Sequence, residues 1–154
     1  MAATRIALDA NILVLLAVGS VDKGALGRKR RVKEYVPEDY DLAVSVISGF
    51  RQAVVTPNVI TECSDLLSDT SDEGEKRWLK EFVQNGESVR VEKYVPSKEV
   101  AELPQYSYLG IADCSLLSLV DGTTILLTMD SKLHAAASNI NPECINFNHC
   151  RNFV

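Results

Sequence analysis

Short apolar runs alternate with amphipathic segments along the chain, and this alternation predicts β-strands that alternate with α-helices. Continuous apolar runs predict buried strands at 5–8, 53–55 and 124–128, and residues 145–147 are a candidate for a last strand. Apolar and polar residues alternate over 89–95, which predicts an extended segment closer to an edge of the sheet. We therefore expect an α/β fold, a three-layer sandwich with a mostly parallel central sheet flanked by helices.

Apolar residues at helical spacing predict the helices. These span residues 12–18, 37–49, 57–67, 78–83, 98–103, 109–120 and 132–137. Asn11 and Ser131 are the predicted N-caps of the first and last of them, and Thr56, followed by a proline, is the predicted N-cap of the third. Gly19 is expected to end the first helix, and the acidic stretch 69–75 predicts a turn before the fourth.

The composition is that of a globular chain, with 46% hydrophobic and 24% charged residues among 154. This length predicts a single domain, 1–154, with a core of its own. No apolar run approaches the roughly 20 residues that span a bilayer, and the pattern of a signal peptide is missing, so we expect a cytoplasmic protein. The net charge of −5 does not indicate nucleic-acid binding, which usually needs a basic surface. It does not exclude such binding, because acids gathered in one site lower the net charge while the surface around that site stays basic.

The four cysteines, Cys63, Cys114, Cys144 and Cys150, form no C-x-x-C pair. We favour reduced, buried thiols, because the first two lie in apolar helical patterns. Disulfides, or a zinc site that includes His149, are the alternatives, although the paired spacing of a structural zinc site is missing.

Four acids stand where a parallel α/β sheet would bring them to one edge. Asp9 and Asp130 each follow a predicted strand, and Glu62 lies on the helix after the second strand. Asp113 lies near the start of the helix that precedes the strand 124–128. Ligands bind at the carboxyl edge of such sheets, so we expect the four to meet there. Asp113 or Asp130 taken alone can be explained as a helix cap, and Glu62 taken alone indicates almost nothing. The apolar neighbours of all four acids nevertheless favour a shared role.

Carboxylates that lie close together repel one another, and some take up protons unless a cation neutralises them. Hard divalent cations suit ligand sets made only of oxygen, so the expected cofactor is Mg²⁺ or Mn²⁺. A metal bound in this way can activate water, orient a phosphate and stabilise developing charge.

The order of these residues along the chain resembles that of the PIN domain family. The resemblance rests on D-x-N after the first strand, then P-x-x-x-x-E, A-D-C-x-L and L-L-T-x-D. PIN domains are metal-dependent ribonucleases with a parallel sheet between helices, and many are VapC-type toxins of toxin–antitoxin pairs. The positions that match the family's acidic set are Asp9, Glu62, Asp113 and Asp130, and those that match its supporting polar positions are Asn11 and Thr128.

The resemblance implies hydrolysis of RNA phosphodiester bonds that leaves a 5′-phosphate and a 3′-hydroxyl. Asp9 and Asp113 would be the main metal ligands, and Glu62 and Asp130 would hold metal-bound water or a second ion. The implied partners are RNA, a cognate antitoxin or another regulatory protein, and a second copy of the chain in a homodimer.

Basic residues are the candidates for contact with RNA phosphates, and they are Arg28, Lys29, Arg30, Arg31, Lys33 and Lys132. The alternative for the run 28–33 is a solvated surface. His134 lies one helical turn beyond Asp130 and would be able to face the acids, although a packing role is favoured.

Three other functions compete with the nuclease. Haloacid-dehalogenase-like phosphatases use an aspartate after a strand, but Asn11 stands where they need a second one. A nucleotide-binding module is disfavoured because Gly19, Gly24 and Gly27 do not form G-x-G-x-x-G after a strand. A catalytically degenerate PIN-like scaffold that binds RNA or protein is disfavoured because all four acids are present.

Overall fold

Five parallel strands form the centre of the fold in a computed structural model that describes residues 2–68, 72–85 and 89–151. The strands are β1 (Arg5–Leu8), β2 (Gln52–Val55), β3 (Arg90–Glu92), β4 (Thr124–Thr128) and β5 (Ile145–Asn146). Their order across the sheet is β3-β2-β1-β4-β5, and every pair is parallel. The predicted α/β class is confirmed, and the segment predicted closer to an edge is the edge strand β3.

Helices flank this sheet, consistent with a three-layer sandwich. They are α1 (Ala10–Val21), α2 (Pro37–Ser48), α3 (Pro57–Leu67), α4 (Glu73–Gln84), α5 (Ser97–Ala101), α6 (Tyr106–Leu117), α7 (Ser131–Ile140) and α8 (Phe147–Cys150). Two short 3-10 helices, Lys23–Ala25 and Arg30–Val32, lie between α1 and α2. Within the described residues, no helix is both long enough and apolar enough to cross a bilayer.

The core is centred on β1 and on the helix that follows it. Ile6 lies opposite Ala53 of β2 and Ile125 of β4, so both neighbours of the central strand bury apolar side chains beside it. Nearly every residue of α1 is buried, because α2, α3 and α4 all pack against this helix. A helix that is hydrophobic on all sides belongs inside a fold, and α1 has that composition.

Two of the predicted helix caps are wrong in the same way. The N-caps are Asp9 and Asp130, not Asn11 and Ser131. The Asp9 carboxylate accepts a hydrogen bond from the Ala10 amide at 2.7 Å, whereas Asn11 is exposed in the first turn of α1. A carboxylate at a helix N-terminus also gains from the helix dipole, which an amide or hydroxyl side chain does not.

Other boundaries differ from the predicted ones by a few residues. The last strand ends at Asn146, whose side chain accepts from the Asn148 amide and starts α8, so Phe147 is helical. The acidic turn predicted at 69–75 lies partly outside the described residues, and α4 begins at Glu73 with Asp72 as its N-cap. The predicted N-cap Thr56 is confirmed, and Gly49, at which the second predicted helix ends, is the C-cap of α2.

The sequence predicts that Gly19 ends the first helix, and this prediction is wrong. Gly19 lies buried inside α1, which continues to Val21. A Cβ atom at this position would come within 2.3 Å of Tyr40 Cδ1, so the absence of a side chain allows the Tyr40 ring to pack directly on α1. Close packing of α2 on the central helix explains a glycine that would otherwise only weaken the helix.

We expect Gly19→Ala to lower the free energy of unfolding by about 1–2 kcal/mol, because overpacking against Tyr40 outweighs the higher helix propensity of alanine. Urea unfolding measures the change. Gly122→Ala is the matched control, since a Cβ there meets nothing within 4 Å and should change stability by less than about 0.5 kcal/mol. A Gly19→Ala variant as stable as the control would contradict the packing argument.

A buried ion pair ties the C-terminal helix region to the start of α2. Arg151 Nη2 lies 2.9 Å from Asp39 Oδ2, and the two side chains are only 9% and 5% exposed. The same guanidinium donates to the Glu34 carbonyl at 2.6 Å and lies over the Tyr35 ring. Tyr35 in turn donates its hydroxyl hydrogen bond to Met129 Sδ at 2.6 Å, so this group of contacts reaches the end of β4.

We expect Asp39→Asn to destabilise the chain by about 3–5 kcal/mol, because it removes the charge of a buried carboxylate oxygen that lies 2.9 Å from the Arg151 guanidinium. Asp41→Asn is the matched control on the same helix. Its ion pair with Lys23 is exposed at both ends, 51% and 62%, and should contribute no more than about 1 kcal/mol. Equal losses for the two variants in urea unfolding would show that burial of the Asp39 pair has no energetic weight.

Candidate metal centre

Asp9 and Asp130 lie at the carboxyl ends of two neighbouring strands and share a hydrogen-bonding partner. Thr128, the last residue of β4, donates to Asp9 Oδ2 at 2.6 Å and accepts from the Asp130 amide at 3.1 Å. Because β1 and β4 are adjacent and parallel, this single hydroxyl links the two turns that carry the acids. Contact between Thr128 and an acid of the set agrees with its predicted supporting position. The Asn11 side chain makes no hydrogen bond among the described residues, so its supporting role stays a prediction.

The other two acids lie on α3 and α6, which pack against each other. A buried pair of hydroxyls joins these helices: Thr56 Oγ1 and Ser115 Oγ are 2.8 Å apart and both residues are fully buried. Ser115 also donates to the Ala112 carbonyl, and Thr56 accepts from the Val59 amide. The contact fixes α6 against the end of β2.

The pairing of Thr56 with Ser115 was not foreseen from the sequence, although both residues influence where Glu62 and Asp113 lie. The signal that would have pointed to it is a serine inside the otherwise apolar segment CSLL of α6. A buried hydroxyl needs a hydrogen-bonding partner, so Ser115 implied one on a neighbouring element.

A kink in α6 decides where Asp113 lies in the helix. Gly110 has φ of 83° and ψ of 179°, so the helix is interrupted there and resumes at the next residue. Asp113 therefore falls in the first turn of the segment after the kink, and its early position in the helix is confirmed. The sequence pattern had predicted one continuous helix over 109–120, which is wrong at this point because glycine readily adopts a positive φ.

The four carboxylates act on one another electrostatically. Burial is the largest cause that raises the pKa of Asp9, which is 4% exposed; hydrogen bonds from Thr128 and Ala10 oppose it and the charge of Asp130 adds to it. Burial and then the charge of Asp9 raise the pKa of Glu62.

The charges of all three other acids act on the pKa of Asp113. Burial raises its pKa most, and the charges of Asp9, Asp130 and Glu62 bring the value to about 7. Side chains that lie far apart in the sequence are thus close enough in the fold to disfavour each other's ionisation.

The described residues provide no positive side chain that balances this cluster. None of the ion pairs joins a lysine or arginine to Asp9, Glu62, Asp113 or Asp130. Four acids that repel one another without a cationic partner form a donor set suited to a hard divalent cation.

The cluster is nevertheless not a closed coordination shell. Within the ranges that the structure describes, no three histidine, cysteine or acidic side chains come together closely enough to hold a metal ion. Mg²⁺ is usually bound through only one or two carboxylates and keeps several waters, so an open set of this kind fits a hydrated Mg²⁺ better than a fully ligated ion.

Two residues of the predicted RNA-contacting set already have acidic partners. Lys29 lies 2.6 Å from the buried Glu75 and 3.4 Å from Asp72, which ties the basic run to the start of α4. Arg28 lies 3.5 Å from Asp22. These contacts favour a structural role for both. The other four predicted residues, Arg30, Arg31, Lys33 and Lys132, are exposed, and their contact with phosphate stays a prediction.

His134 and the cysteines contribute nothing to the cluster that the structure describes. His134 Nε2 lies 3.1 Å from the Cys144 carbonyl oxygen and 3.2 Å from Ser138 Oγ, which agrees with a packing role. All four cysteines are free, and Cys63, Cys114 and Cys144 are buried. Cys150 is exposed, so the expectation of burial is wrong for this residue.

Comparisons with protein-family models, curated proteins and solved structures gave no match for this chain. The geometry of the carboxyl edge therefore carries the functional argument.

We expect Asp113→Asn to raise the melting temperature of the metal-free chain at about pH 8. The pKa of Asp113 is raised from 3.8 to about 7, so the stability that its protonated form contributes is complete below its ordinary pKa and is lost as the pH rises through about 7. An amide stays neutral throughout, so the gain should shrink as the pH is lowered to about 5.

Thermal unfolding in EDTA measures this difference at both pH values. Glu99→Gln, a substitution of an exposed acid on α5, is the control and should shift the melting temperature little at either pH. A gain for Asp113→Asn that does not depend on pH would mean that the cost of ionising Asp113 in this buried, acidic environment is not its cause.

Proposed function

We propose that this chain is a metal-dependent endoribonuclease of the PIN type. One observation supports the proposal above all: at the carboxyl edge of the sheet, burial and then the charges of Asp9, Asp130 and Glu62 raise the pKa of Asp113 to about 7. Such a cluster costs stability, and a divalent cation would remove that cost. RNA as the substrate, and a role as the toxin of a toxin–antitoxin pair, rest on the family resemblance.

In this proposal Asp9 and Asp113 are the main ligands of Mg²⁺ or Mn²⁺, and Glu62 and Asp130 hold metal-bound water or a second ion. The bound ion would supply an activated water and stabilise charge that develops on the phosphate. The protein would hold the ligands: Ala10 and Thr128 each occupy one oxygen of Asp9, which fixes the plane of its carboxylate. Asp113 would be deprotonated while it holds a cation, because a ligating carboxylate must be ionised.

Asp130 has a divided role in the same arrangement. Its Oδ1 accepts from the amides of Lys132 and Leu133, which caps α7, while Oδ2 makes no hydrogen bond among the described residues. One carboxylate oxygen is therefore used to fix the side chain and the other is available to a metal-bound water. Exposed basic residues, Lys132 among them, are proposed to contact the RNA phosphates.

A catalytically inactive scaffold that binds RNA or protein is the second candidate. It is favoured by the lack of three metal-ligating side chains held close together in the described part of the chain. The two candidates differ in what they require of the cation, and calorimetric titration with Mg²⁺ and Mn²⁺ separates them.

We expect the purified chain to cleave RNA in the presence of Mn²⁺ and to stop when EDTA is added. The test is incubation with total RNA followed by mapping of the new ends, which should carry a 5′-phosphate and a 3′-hydroxyl. Hydrogen-bond partners of a metal ligand alone affect metal affinity or activity by about 10–100-fold, so Asp9→Asn should lower the rate by more than about 100-fold. Thr128→Val should lower it by about 10–100-fold.

Glu62→Gln and Asp65→Asn form a matched pair on α3, and only the first should reduce cleavage, because Asp65 is exposed and outside the cluster. A chain that binds neither cation and does not cleave RNA would support the scaffold, and cation binding without cleavage would contradict the nuclease activity. Retained turnover in Asp9→Asn, or the absence of any cation binding, would overturn the proposed nuclease.

A further inference from the structure

A cavity of about 390 Å³ lies between α2 and α4, on the side of the sheet formed by β1 and β2. Its floor is apolar and includes Leu8, Leu16 and Ala53. This volume lies within the range of about 300–1,000 Å³ in which small-molecule sites fall. The proposed metal site uses none of the residues that line the cavity.

Four aromatic side chains line the cavity, and they are Tyr40, Phe50, Trp78 and Phe82. Trp78 and Phe82 are stacked, with ring centroids 5.1 Å apart and an angle of 27° between the ring planes. Tyr40 is the residue that packs directly on Gly19 of α1, so its ring is fixed at the cavity wall. Aromatic walls of this kind favour a planar ring system, which can stack on them.

A cation stands beside this apolar space. The guanidinium carbon of Arg90 lies 4.8 Å from the centroid of the Phe82 ring, and Arg90 forms no ion pair with any acid in the described part of the chain. The Tyr40 hydroxyl likewise makes no hydrogen bond within that part. An anionic group on a ligand would find both a charged and a neutral donor among the residues that line the cavity.

We propose that this cavity binds a small planar aromatic molecule that carries one anionic group, with the rings among the four aromatic side chains and the anion on Arg90. The charge of Arg90 selects an aromatic acid over a neutral aromatic compound. The site is separate from the acidic cluster at the carboxyl edge and does not depend on the nuclease proposal.

A pair of fluorescent probes tests the proposal: anilinonaphthalene sulfonate, which is anionic, and N-phenylnaphthylamine, which has the same rings without the charge. Trp78 is the one tryptophan of the chain and lines the cavity, so energy transfer from tryptophan to the probe reports binding at this place. We expect saturable binding of the sulfonate at one site, with an affinity about ten-fold higher than that of the neutral probe, as one charge-assisted hydrogen bond implies.

Arg90→Gln should lower the affinity for the sulfonate about ten-fold and leave that for the neutral probe unchanged. Arg77→Gln is the matched control, because Arg77 is exposed on α4 and does not line the cavity. Val44→Phe enlarges a partly exposed side chain of the cavity wall and should lower the affinity for both probes. Circular dichroism checks that each variant is folded.

Equal affinities for the two probes, or an Arg90→Gln variant that binds the sulfonate as tightly as the parent chain, would overturn the proposal. Binding without energy transfer from Trp78 would place the probes elsewhere and would also overturn it. If the chain is a dimer in sizing experiments and the probes dissociate it, this face is an interface between two copies and the small-molecule site does not exist.

Discussion

The buried carboxylate of Asp9 is the constraint on which the rest of the arrangement depends. It stands at the end of the central strand β1, where it caps the central helix α1 and accepts a hydrogen bond from Thr128 of β4. A charge at 4% exposure is costly unless hydrogen bonds and an opposite charge compensate it. The fold provides the hydrogen bonds, and the neighbouring acids increase the cost of the buried charge. The carboxyl edge therefore gives up stability for a potential function.

The sheet and the meeting of the acids at one edge could be predicted because both depend on simple periodic features. Apolar runs such as 124–128 mark buried strands, and parallel strands bring their carboxyl ends together whatever the intervening sequence. The helix caps were harder to assign, because Asp9 and Asn11, or Asp130 and Ser131, lie within two positions of each other and have similar capping propensity. Only the backbone geometry selected the carboxylates, which then serve as caps and as members of the cluster.

Contacts between distant segments could not be predicted, because no local pattern encodes them. Gly19 looked like the end of a helix since its partner, the Tyr40 ring, comes from another helix. Lys29 looked like part of a solvated basic run until its partner Glu75 was located on α4. Ser115 looked like an ordinary helical residue, although it pairs with Thr56 of another element. In each case the missing information was the identity of a neighbour, which only the packed fold provides.

The contact of Arg151 with Asp39 has a consequence for the order of folding. The two residues are separated by 112 positions, and Arg151 lies at the far end of the described chain. While the protein is being synthesised, Asp39 and Tyr35 emerge long before the guanidinium that neutralises and covers them. The β4 corner that carries Asp130 therefore acquires its full support only when translation has passed residue 151, so no shorter nascent chain contains the complete set of these contacts.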